Sequence, residues 1–250
     1  EVSGSARLPV KEHGILAGMK VAERIFNRFH PTLELQKNKE DGQPMDPGQV
    51  VFTVWGSARS ILQCERLVLN IMQRMSGIAT TTRSYVQLIE GTGAKILDTR
   101  KTTPGFRILE KEAVRLGGGI NHRFGLYDMI MIKDNHIDFA GGIEEAIGRS
   151  RDYMKRNDLR LDVIVEARKL EDVKIILDLE GVRRILLDNF SVEETREAVD
   201  LINKRMETES SGGITQSNIR DYALCGVDYI SVGALTHQIR SLDLSLKADF

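Results

Sequence analysis

Cysteine is scarce: the 250 residues hold two, Cys64 and Cys225. Isolated and far apart, they form neither a disulfide framework nor a thiolate metal site, and they read as buried thiols of a reducing cytoplasm. Aromatic residues make up 6% of the chain, with a single tryptophan, so the stacking platforms of a single-strand nucleic-acid binder are lacking. Charge excess is lacking too. Lys and Arg number 35 against 36 Asp and Glu, a formal charge of -1, which argues against the broad basic face of a duplex binder. No run approaches the roughly 20 apolar residues of a membrane-spanning helix, and the first residues lack a secretory signal pattern. What remains is 41% hydrophobic and 28% charged, enough to bury a sizeable core. The expectation is an ordinary globular protein of the cytoplasm, acting on small molecules, with no nucleic-acid partner and no membrane.

Turn signals crowd the first part of the chain, at Pro9, Pro31, Gly42, Pro44, Pro47 and Gly48. Between them Gly14–Gly18 and Val50–Gly56 read as strands, Met19–Arg28 as a helix, and Lys37–Gly48 as an exposed loop. From Ser60 to Glu90 the period becomes helical, with Leu62, Leu69, Ile71, Met72 and Met75 at the apolar positions. Beyond it six short apolar runs, at residues 95–98, 129–132, 162–165, 184–187, 206–209 and 228–232, alternate with amphipathic segments. Helices are clearest at Gly142–Arg156 and Ser191–Arg205, the latter opening with Ser191 and Glu194 as a capping box. Such alternation predicts a parallel sheet buried on both faces.

Nearly every run ends in polar residues that a core strand would not need: Asp98-Thr99-Arg100-Lys101, Lys133-Asp134-Asn135-His136, Glu166-Ala167-Arg168, Asp188-Asn189, Ser211-Gly212-Gly213 and Gly233. In a parallel α/β barrel those carboxyl ends share one face, where active sites are built. Arg100, Lys101, Lys133 and the His122-Arg123 pair supply cations that repel one another unless an anion sits among them, and Arg and Lys suit carboxylates and phosphates. Ser211-Gly212-Gly213, followed by a helix-like segment, and Gly233-Ala234 can offer backbone N–H groups to a phosphate at a helix N-terminus. Glu166 and Asp188 suit ribose hydroxyls or a Mg²⁺ shared with a diphosphate; the alternative is salt bridging to nearby arginines. His122, His136 and His237 have no metal spacing, and hydrogen bonding to ligand oxygens fits them better.

At Asp98-Thr99-Arg100-Lys101-Thr102-Thr103-Pro104-Gly105, Gly117-Gly118-Gly119-Ile120-Asn121-His122-Arg123 and Ile132-Lys133-Asp134-Asn135-His136 the chain closely resembles the nicotinate-nucleotide pyrophosphorylase, or quinolinate phosphoribosyltransferase, family. The resemblance continues through Gly14–Gly18, Glu65-Arg66, Ser76–Thr80 and Gly233–His237, covering essentially the whole sequence. It implies an incomplete parallel α/β barrel with an N-terminal open β-sandwich (α+β) capping domain, residues 1–62 forming the sandwich, 238–250 returning to it, and 63–237 forming the barrel. The implied activity converts quinolinate and phosphoribosyl pyrophosphate to nicotinate mononucleotide, pyrophosphate and carbon dioxide, with Mg²⁺ and no organic cofactor, in NAD biosynthesis. The resemblance assigns catalysis to Lys101, Lys133, Glu166 and Asp188. Arg100, Lys101, His122, Arg123 and Lys133 would hold the quinolinate carboxylates and neighbouring phosphates, Glu166 and Asp188 the ribose and metal, and Ser211, Gly212, Gly213 and Gly233 the 5'-phosphate, with His237 near it. Arg66 would enter the partner's site in a homodimer, with further assembly to a hexamer left open. Two departures stand out: much of the family's leading helical segment is missing, and Ile164 occupies a position where an acid is frequent. The alternatives are a paralogous phosphoribosyltransferase of the molybdenum-transport-associated type and a phosphosugar-binding barrel without catalysis.

Overall fold

The switch from turn-rich to alternating sequence marks a change of architecture in the computed structural model, which describes residues 2–249. Glu1 and Phe250, the outer ends of the expected 1–62 and 238–250 segments, lie outside the described residues. The chain forms β1 (Ser3–Pro9), β2 (Gly14–Ile15), α1 (Met19–Phe29), β3 (Glu34–Lys37), β4 (Pro44–Met45), β5 (Val50–Ser57) and the long α2 (Ala58–Leu88). There follow β6 (Lys95–Leu97), α3 (Arg107–Leu116), β7 (Ile130–Ile132), α4 (Asp134–Ala140), α5 (Ile143–Arg156), β8 (Val163–Ala167), α6 (Leu170–Leu177) and β9 (Arg184–Asp188). The last elements are α7 (Val192–Ile202), β10 (Glu207–Ser211), α8 (Ile219–Leu224), β11 (Tyr229–Ser231), α9 (Ala234–His237) and β12 (Lys247–Asp249). Two compact units result: one takes the described residues up to Ser84, Lys101–Gly119 and those from Ala234 onward, the other Tyr85–Arg100 and Ile120–Gly233.

In the first unit an antiparallel sheet of order β12-β1-β5-β3 packs against α1 and α2 around Leu8, Phe26, Val51, Phe52, Val54, Leu69 and Met72. Met19, Ala22 and Phe26 fall on one face of α1 at three- and four-residue spacing and are buried; Phe26 meets Phe52 edge-on at 5.9 Å between ring centroids. The helix starts where Asp41 accepts the N–H groups of Met19 and Lys20, a carboxylate at the positive end of the dipole. The inward stripe of α2 is Ile61, Cys64, Val68, Leu69 and Met72, whereas Leu62 is 68% exposed. The expected apolar position at Leu62 thus points outward, with Ile61 buried in its place, whereas Leu69, Ile71, Met72 and Met75 are buried as expected. The stretch 37–48 is not wholly a loop: β4 pairs antiparallel with β2 and Met45 is buried. A Cβ on Gly77 would lie 2.2 Å from the Arg240 carbonyl oxygen, so the C-terminal strand crosses α2 where only glycine leaves room. Gln73 then accepts Leu242 N–H and donates to Leu244 O, and β12 pairs with β1.

The second unit is built on a six-stranded sheet of order β6-β11-β10-β9-β8-β7 with every pairing parallel. All six expected runs are strands, and the arrangement is an incomplete α/β barrel. Val163, Val165, Ile185 and Leu187 face the helices, against Ile147, Val173, Ile176, Ala198 and Ile202. Cys64 and Cys225 are both buried, one in each unit, and burial pushes both thiols up.

Helix α7 opens as expected: Ser191 accepts Glu194 N–H while the Glu194 carboxylate accepts Ser191 N–H. Ser191→Ala removes half of this box at an exposed position, and a loss of about 1 kcal/mol in unfolding free energy is expected from urea titration. An unchanged midpoint would show that the cap contributes nothing.

Candidate active site

Period two along the strands decides which side chains face away from the helices. With Val163, Val165, Ile185 and Leu187 turned to the helices, Glu166, Arg184 and Asp188 take the other face. Register extends that face, since Glu207 lies opposite Arg184, Glu209 opposite Leu186 and Ser211 opposite Asp188. At the carboxyl ends of the strands Lys133, Glu166, Asp188 and Ser211 are therefore neighbours by construction.

Lys133 leaves β7 as the N-cap residue of α4, and its Nζ lies 3.5 Å from Glu166 Oε2. Asp134 N–H approaches the other carboxylate oxygen at 3.5 Å. Burial lifts Glu166 above the ordinary carboxylate range; Lys133 opposes this and the charge of Asp188 adds to it. The salt-bridge alternative is thus met by a lysine rather than an arginine, while Arg168 pairs with Asp138. His136 Nδ1 accepts Lys133 N–H, so this histidine closes the first turn of α4.

Arg123 is 7% exposed. Burial, then the charge of Arg100, lowers its pKa, with Asp128 opposing. A buried guanidinium beside a second one stores repulsion that an anionic ligand would relieve. The loop that carries it is pinned at Asp98, a fully buried carboxylate accepting His122 N–H at 2.8 Å. His122 is also buried, and its ring nitrogens face protein groups: Nδ1 accepts Arg123 N–H at 2.7 Å, and Nε2 lies 3.3 Å from Glu209 Oε2.

Gly212 has φ +88° and Gly213 +61°, and a Cβ on Gly212 would fall 2.2 Å from Asn189 Oδ1. Asn189, itself left-handed at φ 57°, donates its backbone N–H to Ser211 O and its Nδ2 to Asp188. The turn after β10 and the acid after β9 are therefore one hydrogen-bonded piece. The helix-like segment expected after Ile214-Thr215 is present but starts later: α8 begins at Ile219 and has six residues. Asn218 explains the delay, since its side chain accepts Thr215 N–H and donates to Gly213 O, holding a turn in between. Any phosphate here would meet loop N–H groups, not a helix end. Gly233 follows β11 and immediately precedes the four residues of α9.

Three expected residues belong to the first unit. Arg66 is exposed on the outward face of α2. His237 is the exposed last residue of α9. Lys101 has its carbonyl held by Thr236 Oγ1 at 2.8 Å, and Arg74 ties that segment together by bonding Glu110, Thr103 Oγ1 and Thr236 O. Asp98, Asn189, Glu209, Arg184 and this Arg74–Glu110 pair were not singled out as site residues. A charged residue at the head of an otherwise apolar strand, as at Arg184 in Arg-Ile-Leu-Leu-Asp, is a signal that could have shown one of them.

Family models for quinolinate phosphoribosyl transferase match residues 1–76 with the N-terminal domain and 78–247 with the C-terminal domain. The chain belongs to the quinolinate phosphoribosyl transferase family. A relative from Nicotiana glauca, quinolinate phosphoribosyltransferase (decarboxylating) 1, is 44% identical over 99% of this chain and 74% of its own length. One from Bacillus subtilis, a probable nicotinate-nucleotide pyrophosphorylase (carboxylating), is 42% identical over 98% of this chain and 84% of its own. Among solved structures, NadC from Streptococcus pyogenes superposes with TM-score 0.93 at 41% identity, covering 98% of this chain and 85% of that one. The nicotinate-nucleotide pyrophosphorylase of Francisella tularensis gives TM-score 0.94 at 38% identity, covering 100% and 87%. The family expected from the strand-end motifs is the family found, and with it the incomplete barrel.

Among the described residues no group of three or more His, Cys, Asp or Glu could hold a metal, and no helix is long and apolar enough to cross a membrane. The pair Glu166 and Asp188 nevertheless fits a hard divalent cation that takes its other ligands from water and an anionic substrate, because burial and, to a lesser extent, the charge of Asp188 lift Glu166, and such a cation would offset both.

A raised carboxyl binds its proton more readily in the folded chain than in the unfolded one, so its contribution to stability is fully present below the unfolded pKa and is lost as pH rises through the folded value. Wild-type stability should therefore decline relative to Glu166→Gln as pH rises from the ordinary carboxylate range towards neutrality. Thermal melts of both proteins across that range test this, and parallel curves would refute it.

Proposed function

We propose that this chain transfers the phosphoribosyl group of phosphoribosyl pyrophosphate to quinolinate with decarboxylation, releasing pyrophosphate and carbon dioxide and leaving nicotinate mononucleotide for NAD biosynthesis. Family membership supports the reaction, and the observation that carries the substrate is buried Arg123 beside Arg100, an arrangement suited to a dicarboxylate. Arg100, His122, Arg123, Lys101 and Lys133 form the quinolinate end in this reading. Glu166 and Asp188 bind the ribose hydroxyls, and Ser211, Gly212, Gly213 and Gly233 cradle the 5'-phosphate, with His237 near it.

The chemistry asks for positioning and electrostatics more than for proton transfer. The ring nitrogen of quinolinate forms a bond to ribose C1 as the bond to the pyrophosphate oxygen breaks. In this reading the carboxylates of Glu166 and Asp188 offset the positive charge that grows on the sugar, and Lys133 and Lys101 are assigned to the negative charge that grows on the leaving group. Mg²⁺, held by Glu166 and Asp188 when bound, would supply further neutralisation of the pyrophosphate. The cationic pyridine then accepts the electron pair left when carbon dioxide departs, and that carbon takes a proton. Arg66, exposed on α2, is assigned to a partner subunit's site in a homodimer. The sandwich of 1–62 with 238–250 and the barrel of 63–237 are the functional halves in this reading, and its place is the cytoplasm, although the Arabidopsis thaliana relative is named chloroplastic.

Incubation with quinolinate and phosphoribosyl pyrophosphate should release carbon dioxide; binding of both without product would leave a phosphosugar-binding barrel. Arg123→Ala should weaken quinolinate binding by roughly 2–4 kcal/mol and leave phosphoribosyl pyrophosphate binding nearly unchanged in calorimetry. Equal losses for the two ligands would remove Arg123 from the acceptor end. Lys133→Ala and Arg66→Ala should each depress turnover with the fold intact, and mixing the two inactive variants should restore part of it, since one site in a mixed dimer carries neither change. Continued inactivity after subunit exchange would refute a shared site.

A further inference from the structure

Glu209 is fully buried in the middle of β10, below the strand ends that the mechanism uses. A charge there needs partners on every side, and it has them. Ser231 donates to Oε1, Arg184 Nη1 donates to Oε2 at 2.8 Å, and His122 Nε2 lies 3.3 Å from the same oxygen. Arg184 is in turn held by Glu207 and stacks on Tyr229 with its guanidinium carbon 3.8 Å from the ring centroid. Burial alone would raise Glu209, but His122, Ser231 and Arg184 together hold it below the usual carboxylate range, so a fixed negative charge faces the imidazole.

The imidazole has no freedom left. Its Nδ1 accepts Arg123 N–H at 2.7 Å and so carries no proton, which leaves Nε2, 3.3 Å from Glu209 Oε2, as the nitrogen that bears it. Asp98 fixes the same residue through its backbone N–H. The sequence of contacts is therefore Glu209 to the His122 ring, the ring to the Arg123 backbone, and that backbone to the buried guanidinium.

We propose that Glu209 is a positioning residue, which orients the His122 ring so that its Nδ1 anchors the Arg123 main chain and aims the guanidinium at the acceptor carboxylate. The role rests on the reading of Arg123 as a quinolinate ligand.

Two independent measurements test it. Two-bond nitrogen-15 correlation spectra of the histidine-labelled wild-type protein, five histidines in all, should show His122 as the Nε2–H tautomer at neutral pH without any substrate. An Nδ1–H tautomer or an imidazolium would overturn the proposal. In kinetics, Glu209→Gln should raise the quinolinate KM about tenfold while kcat and the phosphoribosyl pyrophosphate KM stay within about twofold. Because Glu209 acts through the ring, adding it to His122→Asn should produce no further increase. Multiplying effects, or a loss shared by both substrates, would reduce Glu209 to a structural role. Should Glu209→Gln fail to fold, the wild-type tautomer still decides. Absence of turnover in the wild-type protein would instead reject the reaction, an outcome the spectra do not depend on.

Discussion

A parallel sheet has its hydrogen-bonding groups satisfied between strands and one face sealed by helices, so polar chemistry can occupy only its inner face and its carboxyl edge. In the second unit that constraint sorts the side chains strand by strand. Val163, Val165, Ile185 and Leu187 take the helix side; Glu166, Asp188, Glu209 and Ser211 are left on the other by the two-residue period. Every group proposed to touch substrate in this unit is there, or in a loop that starts from that edge.

Burial then sets what those groups can do. A charge removed from water must find a partner or shift towards neutrality. Glu209 finds His122, Ser231 and Arg184 and is held below the ordinary range; Glu166, with Lys133 and the Asp134 N–H each at 3.5 Å, moves upward. Arg123, buried beside Arg100, is destabilised in the opposite sense. The layer under the site thus pairs its own charges, Glu209 and Glu207 with Arg184, whereas the layer proposed to face the substrates holds charges suited to anions and a divalent cation. The formal charge of -1 averages over this separation.

Much of the arrangement is legible before folding. The six apolar runs, the capping box at Ser191 and the polar residues closing each strand need only local patterns, and the strand-end motifs carry the family. Where local patterns compete with contacts from far along the chain, the expectation slips. Leu62 fits a helical stripe in sequence yet faces outward. The helix expected after Ile214-Thr215 starts only at Ile219, because the Asn218 side chain holds a turn in between. Met45, in a stretch that looks like a loop, is buried by a short pairing of β4 with β2.

Sequence alone determined the order and period of the elements, the family and the residue types at the strand ends, because these depend on neighbours within a few positions. Only the tertiary structure decided that Asp98 and Glu209, 111 positions apart in the numbering, grip the same histidine from its backbone and its ring. It also decided that Asn189 ties Asp188 to the Ser211 turn. A hydrogen bond acts over about 3 Å in any direction, and the pairing register, not the spacing along the chain, brings such distant groups within that range.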